Sequence, residues 1–205
     1  MLSPRLLTVA SLIEKNSIVL DVGTDHAYLP IYLINNNICK KVYASDISEG
    51  ALEIAKKNIE KNNIKSIKLI HTDGLKDIKE KYDTLVICGM GTSTIINILK
   101  SGTLPNRIIL SSHNDLYSLR QYLNSIDYRI KEEKVVLDNQ KYYCIISYEK
   151  GNEKLSKKTL KYGKSNNKDY YKHLYKVQKD IFNKMNFINK IKSINKLIEL
   201  KILSI

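Results

Sequence analysis

The chain has 205 residues, of which 43% are hydrophobic, and it carries a formal net charge of +13. This length accommodates one α/β domain with a smaller appendage, and the hydrophobic fraction is typical of a globular protein. The sequence has no run of about 18 apolar residues and no apolar signal segment near its N-terminus, which excludes a membrane-spanning helix and leads us to expect a soluble, cytoplasmic protein.

The positive charge is concentrated in the last quarter of the chain. Residues 1–150 contain 20 Lys and Arg against 17 Asp and Glu, whereas residues 151–205 contain 14 against 4. A segment this basic is typical of proteins that bind a polyanion, and we expect nucleic acid. The alternative is a solvated, lysine-rich helix without a partner.

The three cysteines, Cys39, Cys88 and Cys144, are far apart in the sequence. Their spacing fits neither a disulfide framework nor a zinc site built from Cys-x-x-Cys pairs. We therefore expect reduced thiols that pack in the interior, and no bound metal.

The N-terminal residues predict a short helix that leads into a buried strand. Ser3 is a capping residue and Pro4 suits the first helical turn, after which apolar residues recur at helical spacing. The strand follows at residues 18–20, where three apolar residues stand in a row.

A polar turn follows this strand, and it is the strongest functional signal in the chain. Gly23 breaks the apolar run, and a helix resumes near Ala27. Ligands of doubly wound α/β sheets bind outside the carboxyl ends of such strands, so the polar side chains here are candidates for a site. The alternative is a turn that only caps the next helix through Thr24 or Asp25.

Two further predicted strands also end at carboxylates. Residues 42–44 precede Asp46, which lies at the distance from Gly23 where nucleoside-binding folds place the acid that accepts bonds from ribose hydroxyls. Residues 67–70 precede Asp73 and Gly74. With Asp21 at the end of the first strand, three acids lie at one edge of a parallel sheet, which favours a site. Asp46 alone could instead be a helix cap, a role that Ser48 fills equally well.

A fourth strand, residues 84–88, runs into the turn Gly89-Met90-Gly91. Two glycines allow close approach of a flat ligand to the backbone, although a tight connection to the next helix explains them equally well. A fifth strand at 107–110 and an antiparallel pair at 135–137 and 142–148 complete the pattern. The repeated alternation of strand and helix predicts a Rossmann-like α/β domain.

We predict a domain boundary after Lys150, so that residues 1–150 form the α/β domain and residues 151–205 a basic helical appendage. Within the appendage, the apolar spacing predicts a helix over 155–162 and one long helix over 168–202, packed as an antiparallel, coiled-coil-like hairpin. Four tyrosines among the lysines suit stacking on exposed bases: Tyr162, Tyr170, Tyr171 and Tyr175. A packing role is the alternative for Tyr171 and Tyr175.

The strings DVGTDHAYLP, SDIS, TDGL and CGMG together resemble the TrmK family of bacterial tRNA methyltransferases, which are class I enzymes that use S-adenosylmethionine (SAM). Nucleotide-dependent dehydrogenases also have a glycine turn after the first strand and an acid after the second, but they usually carry a second glycine where this chain has Asp25. The family also has a Leu-x-x-Arg-Leu-like first helix, here residues 2–6, and a C-terminal helical hairpin. The resemblance covers nearly the whole chain.

The resemblance implies methyl transfer from SAM to N1 of adenine 22 in tRNA, by a cytoplasmic monomer without a metal or a membrane partner. It assigns cofactor binding to Asp21, Gly23, Thr24, Asp46, Ile47, Asp73, Gly74, Gly89 and Gly91. It places Asp25, His26, Tyr28 and Met90 at the catalytic side, and leaves open whether Asp25 acts on the base or only orients His26.

One segment departs from the family's sequence pattern and leaves a second functional interpretation open. After the fifth strand many relatives have Gln-Pro-Asn, whereas this chain has Ser111-Ser112-His113-Asn114. A catalytically inactive RNA-binding protein, or a methyltransferase acting on another RNA, therefore remains the alternative. The expected chemistry needs no enzyme nucleophile, because adenine N1 presents its own lone pair; the base must be unpaired and held in line with the methyl group.

Overall fold

The computed structural model describes residues 2–205 and contains a seven-stranded sheet in the order β3-β2-β1-β4-β5-β7-β6. Strands β1 to β5 are parallel to one another. Strand β7 runs antiparallel to β5, and β6 runs antiparallel to β7. The strands are β1 (Ser17–Val22), β2 (Cys39–Asp46), β3 (Ile67–His71), β4 (Thr84–Met90), β5 (Arg107–Ser112), β6 (Tyr128–Asp138) and β7 (Lys141–Lys150). The helices are α1 (Pro4–Ser11), α2 (Tyr28–Asn35), α3 (Glu49–Lys61), α4 (Thr92–Lys100), α5 (Leu116–Ser125), α6 (Lys157–Tyr162), α7 (Lys168–Lys184) and α8 (Phe187–Leu203).

The predicted Rossmann-like fold is confirmed, and the strands extend further than their apolar runs indicated. The second strand reaches Asp46 because Ser45 and Asp46 still pair with β3, opposite Ile70 and His71. Polar residues at a strand end thus take part in the backbone ladder, which an apolar run alone does not reveal. The predicted start of α1 is also confirmed, since Ser3 Oγ accepts a bond from Leu6 N and Pro4 lies in the first turn.

The sheet is covered by apolar side chains on both faces. Leu20 and Val22 of β1 lie in a core that includes residues of α4 and α5, whereas Val19 lies in a second core with residues of α1, α2 and α3. This alternation follows the two-residue period of a strand. The strand that precedes the polar turn is therefore fixed from both sides.

The chain divides into two compact units between Lys164 and Ser165. Helix α6 belongs to the first unit, because the buried Arg120 donates to the carbonyl oxygen of Leu160 at 3.0 Å and to Glu133 Oε1 at 2.6 Å. Glu133 also accepts a bond from Lys164 N at 3.1 Å. Five of the 14 basic residues that follow Lys150 thus lie in the first unit, and the second unit has nine lysines against three acids.

The predicted pairing of helices in the hairpin is wrong, although the C-terminal hairpin itself is confirmed. Helix α7 ends at Lys184, Met185 is extended, and Asn186 caps α8 by accepting a bond from Asn189 N at 3.0 Å. Helices α7 and α8 then pack against each other. The predicted single helix is broken because the Asn186 side chain satisfies a backbone donor that starts a new helix, while the apolar spacing continues across the break.

Two of the four tyrosines do not suit base stacking. Tyr162 and Tyr171 are buried, and the Tyr171 hydroxyl donates to the carbonyl oxygen of Ser165 at 2.8 Å. The prediction that they stack on exposed bases is therefore wrong, and the packing role is confirmed for Tyr171.

We expect Glu133→Gln to lower the free energy of unfolding by about 3 to 5 kcal/mol, because it leaves the buried Arg120 guanidinium without its counter-charge. Glu132→Gln is the matched control, since the neighbouring Glu132 is exposed and should change stability by less than about 0.5 kcal/mol. Chemical denaturation of the two variants measures the difference. Equal stability of both would contradict a structural role for the buried pair.

Candidate active site

The turn after β1 is tied to the end of β2 by its backbone. Gly23 N and Thr24 N both donate to the carbonyl oxygen of Ser45, at 2.9 and 3.0 Å. Gly23 has a φ of +74°, and a Cβ at this position would lie 2.2 Å from Cε of Met90. The backbone conformation therefore disfavours any residue with a side chain here, and such a residue would also require the flexible Met90 side chain to move.

Asp46 holds the next part of the turn. Its Oδ2 accepts a bond from Asp25 N at 3.1 Å, and its Oδ1 accepts one from Ser48 N at 3.0 Å. Asp25 and Ala27 both adopt positive φ values, and α2 begins after Ala27 without a side-chain cap. The alternative in which Thr24 or Asp25 caps this helix is therefore wrong, and Ser48, not Asp46, caps α3.

A first cavity of about 420 Å³ lies on the β2 and β3 side of the turn. From the predicted site it brings together Gly23, Asp46, Ile47, Asp73, Gly74 and Met90. Residues that the sequence did not single out complete its wall: Val22, Thr72, Lys76, Thr94, Asn97, Ile98 and Ser101. The Ile47 side chain is exposed, so an apolar surface is available beside the Asp46 carboxylate.

A second cavity of about 520 Å³ lies on the other side of Gly23. From the predicted site it brings together Asp21, Gly23, Thr24, Asp25, His26, Tyr28 and Gly89. It is also lined by residues that were not among the predicted site residues: Ser3, Arg5, Leu6, Leu29, Cys88, His113, Asp138, Asn139 and Tyr143. Gly91 lines neither cavity and instead stands at the N-cap of α4.

Asp21 is the most perturbed acid of the second cavity. Its pKa is raised from the ordinary 3.8 to about 6, mainly by burial; a 2.8 Å hydrogen bond from the Thr24 hydroxyl lowers the pKa, and the nearby Asp46 carboxylate adds to the rise. The pKa of the neighbouring Cys88 thiol is raised to about 12, mainly by burial, so that thiol stays protonated at neutral pH. Cys88 is thus a packing residue, as are the free Cys39 and Cys144.

Asp25, His26 and Tyr28 form a contiguous polar surface. His26 Nε2 lies 3.5 Å from Asp25 Oδ1, and the His26 ring stacks on Tyr28 with 5.4 Å between centroids. The buried Nδ1 of His26 has no hydrogen-bond partner among residues 2–205. The Asp25 carboxylate is 70% exposed and therefore accessible to a ligand.

Of the segment at the end of β5, Ser112 and Asn114 hold the start of α4 in place, and His113 lines the second cavity. Asn114 Oδ1 accepts a bond from Thr92 N at 2.9 Å, and the hydroxyls of Thr92 and Ser112 are 2.8 Å apart. These contacts hold the start of α4 next to the Gly89-Met90-Gly91 turn. His113 faces the second cavity, with its ring centroid 6.2 Å from that of Tyr143.

Within residues 2–205, no group of three or more His, Cys, Asp or Glu side chains is arranged to hold a metal ion. None of the helices in this part of the chain is long and apolar enough to cross a bilayer.

Comparison with known proteins places the chain among methyltransferases. Residues 2–146 match the family described as "Methyltransferase domain". A tRNA (adenine(22)-N(1))-methyltransferase of Bacillus subtilis is 34% identical over 156 residues, which cover 73% of this chain and 66% of the relative. That alignment thus spans about two thirds of the relative's length.

Several solved structures match almost the whole chain. TrmK of M. capricolum in complex with S-adenosylhomocysteine is 33% identical, with a TM-score of 0.86 and coverage of 98% of this chain and 96% of that one. A Streptococcus pneumoniae protein, provisionally assigned as a tRNA (m1A22) methyltransferase, was solved with SAM. It is 29% identical, with a TM-score of 0.87 and full coverage of both chains.

We expect Asp21→Asn to stabilise the ligand-free protein in a pH-dependent way. The folded-state pKa of about 6 exceeds the ordinary 3.8, so ionisation of this carboxyl opposes folding; the penalty is absent below the ordinary pKa, near pH 3, and complete only about one pH unit above the folded-state pKa, at about pH 7. The variant's unfolding free energy should exceed that of the parent by up to about 3 kcal/mol at pH 7 and match it near pH 3. Denaturant unfolding across this range checks this, and a pH-independent difference would contradict it.

Proposed function

The chain belongs to the TrmK family of methyltransferases, and from that premise we propose that it transfers a methyl group from SAM to N1 of adenine 22 in tRNA. The observation that carries the proposal is the pair of cavities that meet at Gly23. One cavity suits a nucleoside cofactor and the other suits a nucleotide substrate. Gly23, lacking a side chain, is the point at which a donor and an acceptor can approach each other.

The first cavity fits the adenosyl part of SAM. Each Asp46 oxygen accepts one backbone bond and retains a lone pair for a ribose hydroxyl. The exposed Ile47 side chain offers an apolar face to an adenine ring, and Asp73 and Gly74 lie in the same cavity. The methionine part of SAM fits against the backbone of Gly23, which has no side chain, once the flexible Met90 side chain moves away from it.

Asp21 and Thr24 line the second cavity, close in sequence to Gly23, which lines both cavities. A carboxylate whose burial is uncompensated by a cation favours a positively charged ligand group, and we assign the Asp21 carboxylate to that part of the cofactor. Bound SAM supplies a methyl group carried on a positively charged sulfur.

The residues of the second cavity orient the target base. Adenine N1 is unprotonated at neutral pH, so the chain need not supply a base or a nucleophile. Holding N1 in line at about 3 Å accounts for roughly 7 to 11 kcal/mol of the barrier. The methylated base becomes cationic, and the accessible Asp25 carboxylate stabilises the charge that develops on the ring. His26 and Tyr28 provide a stacked surface beside it.

The second unit, residues 165–205, supplies a basic surface for the tRNA. Its nine lysines exceed its three acids, and Lys172, Lys176 and Lys179 are exposed on α7. Contacts of this kind neutralise backbone phosphates without reading sequence. We propose that this unit binds the tRNA while the first unit carries the reaction, in a monomeric enzyme of the cytoplasm.

We expect Asp25→Asn to lower turnover roughly 100-fold while leaving SAM affinity within about twofold, because it removes the charge but keeps a residue that tolerates positive φ. Asp46→Ala should instead weaken SAM binding roughly 10- to 100-fold. Methyl-transfer kinetics with unmodified tRNA and calorimetric SAM titration separate the two effects.

Each variant has a matched control. Asp127 is an exposed aspartate with a φ of +60° that lines neither cavity, so Asp127→Asn should leave turnover unchanged. Glu53→Ala, on the exposed face of α3, should leave SAM affinity unchanged. Loss of SAM binding in Asp25→Asn would contradict the assignment of that residue to the substrate side.

Replacing Lys172, Lys176 and Lys179 together with Gln should weaken tRNA binding and reduce the slope of log affinity against log salt by about 2 to 3, with no change in SAM affinity. The control replaces three exposed lysines of α3: Lys56, Lys57 and Lys61. Filter binding at several salt concentrations measures the slopes. If the control set reduces the slope as much as the α7 set, the second unit is not the tRNA-binding surface.

A further inference from the structure

Arg5 is a cation of the second cavity whose guanidinium is in contact with no carboxylate of residues 2–205. The chain contains four arginines, and the other three pair with glutamates: Arg107 with Glu14, Arg120 with Glu133 and Arg129 with Glu149. Within residues 2–205, the Arg5 guanidinium forms no ion pair and no hydrogen bond. Its five N–H donors therefore remain available to a ligand.

The Arg5 side chain is nevertheless held in place. Its guanidinium lies over the Tyr143 ring, 5.0 Å from the centroid, and its backbone N–H donates to the buried Asp138 Oδ2 at 3.3 Å. Helix α1 is thereby attached to the hairpin formed by β6 and β7. A cation that is fixed by stacking loses little further entropy when it binds an anion.

Arg5 also lies close to the predicted point of reaction. Its Nη1 is 3.7 Å from the position that a Cβ on Gly89 would occupy, and His113 Nε2 is 4.0 Å from that same position. Gly89 precedes Met90, whose side chain covers Gly23. The guanidinium therefore belongs to the wall of the second cavity rather than to the outer surface.

The second cavity consequently carries charges of both signs. Arg5 comes from α1 and Gly89 from β4, whereas Asp25 comes from the turn after β1. Two further carboxylates, Asp21 of β1 and Asp138 of β6, line the same cavity. An adenine nucleotide has the complementary distribution, since its phosphate is anionic and its base gains positive charge on methylation. A cavity of about 520 Å³ accommodates a ligand of this size.

We propose that Arg5 binds the phosphate group attached to the target adenosine and so positions the base against Asp25. This inference rests on the proposed function and assigns to α1 a role in substrate binding. The guanidinium suits phosphate because its planar fork donates two parallel bonds to two oxygens. Stacking of the methylated base on Arg5 is disfavoured, because two cations would then face each other.

The first test compares 5′-AMP with adenosine as ligands of the full chain saturated with S-adenosylhomocysteine, by NMR titration. The parent should bind 5′-AMP about tenfold more tightly than adenosine. Arg5→Gln should abolish that preference, and Arg5→Lys should restore part of it. Equal affinity of the parent for both ligands, binding of neither, or a preference that survives in Arg5→Gln would overturn the proposal.

The second test uses methyl transfer to unmodified tRNA. Arg5→Gln should lower kcat/KM about tenfold, chiefly through KM, and reduce its log-log salt slope by about 1, while SAM affinity stays unchanged. Lys41→Gln is the matched control, since Lys41 also stacks on a tyrosine, 4.9 Å from the Tyr43 centroid, but lines neither cavity. A loss of rate with an unchanged salt slope would indicate a structural role instead.

The two tests separate the two proposals. If the parent binds 5′-AMP preferentially through Arg5 but does not methylate tRNA, the proposed function fails and the nucleotide site stands. If the parent methylates tRNA and Arg5→Gln has no effect on either measurement, the function stands and the role of Arg5 is wrong.

Discussion

The Ser45 carbonyl oxygen, which accepts hydrogen bonds from both Gly23 N and Thr24 N, is the contact on which the candidate site depends. It ties the turn after β1 to the end of β2 and so holds Gly23 at a positive φ, at the point where the two cavities meet. The Asp46 carboxylate adds a third bond, to Asp25 N. Any residue other than glycine at position 23 would have to displace Met90 and adopt an unfavourable backbone conformation.

Because the turn is held in this way, the three carboxylates of the candidate site differ in burial and in their hydrogen bonds. Asp21 lies inside the sheet edge, where burial raises its pKa to about 6, whereas Asp25 projects from the turn and is exposed. Asp46 is engaged by two backbone donors and is therefore fixed. Three acids within one turn and the strand beside it thus suit three tasks: binding a cationic group, stabilising a developing charge and accepting bonds from hydroxyls.

The sequence predicted the parts of the site that depend on local pattern. A strand that ends at an acid or a glycine places that residue at the sheet edge, and this rule pointed to Gly23, Asp46 and Asp73, which all line the first cavity. It missed Arg5 and Tyr143, because they meet only when α1 packs beside the β6–β7 hairpin. The first helix was part of the family resemblance, but no pattern within it indicated that its arginine would contact no carboxylate.

For the C-terminal part, the sequence predicted a helical hairpin but not which helices form it, because that pairing also depends on individual contacts. The break at Met185 depends on one capping contact of Asn186, and the docking of α6 depends on the long-range pair of Arg120 and Glu133. Neither interaction disturbs the apolar spacing, so periodicity alone could not reveal them.

The central claim is tested most directly by incubating the protein with SAM and an unmodified tRNA transcript, digesting the RNA and locating 1-methyladenosine by mass spectrometry. A transcript in which adenine 22 is replaced by guanine serves as the comparison. We predict 1-methyladenosine at position 22 of the first transcript and none in the second. Methylation at another position, equal methylation of both transcripts, or no methylation of either would contradict the claim.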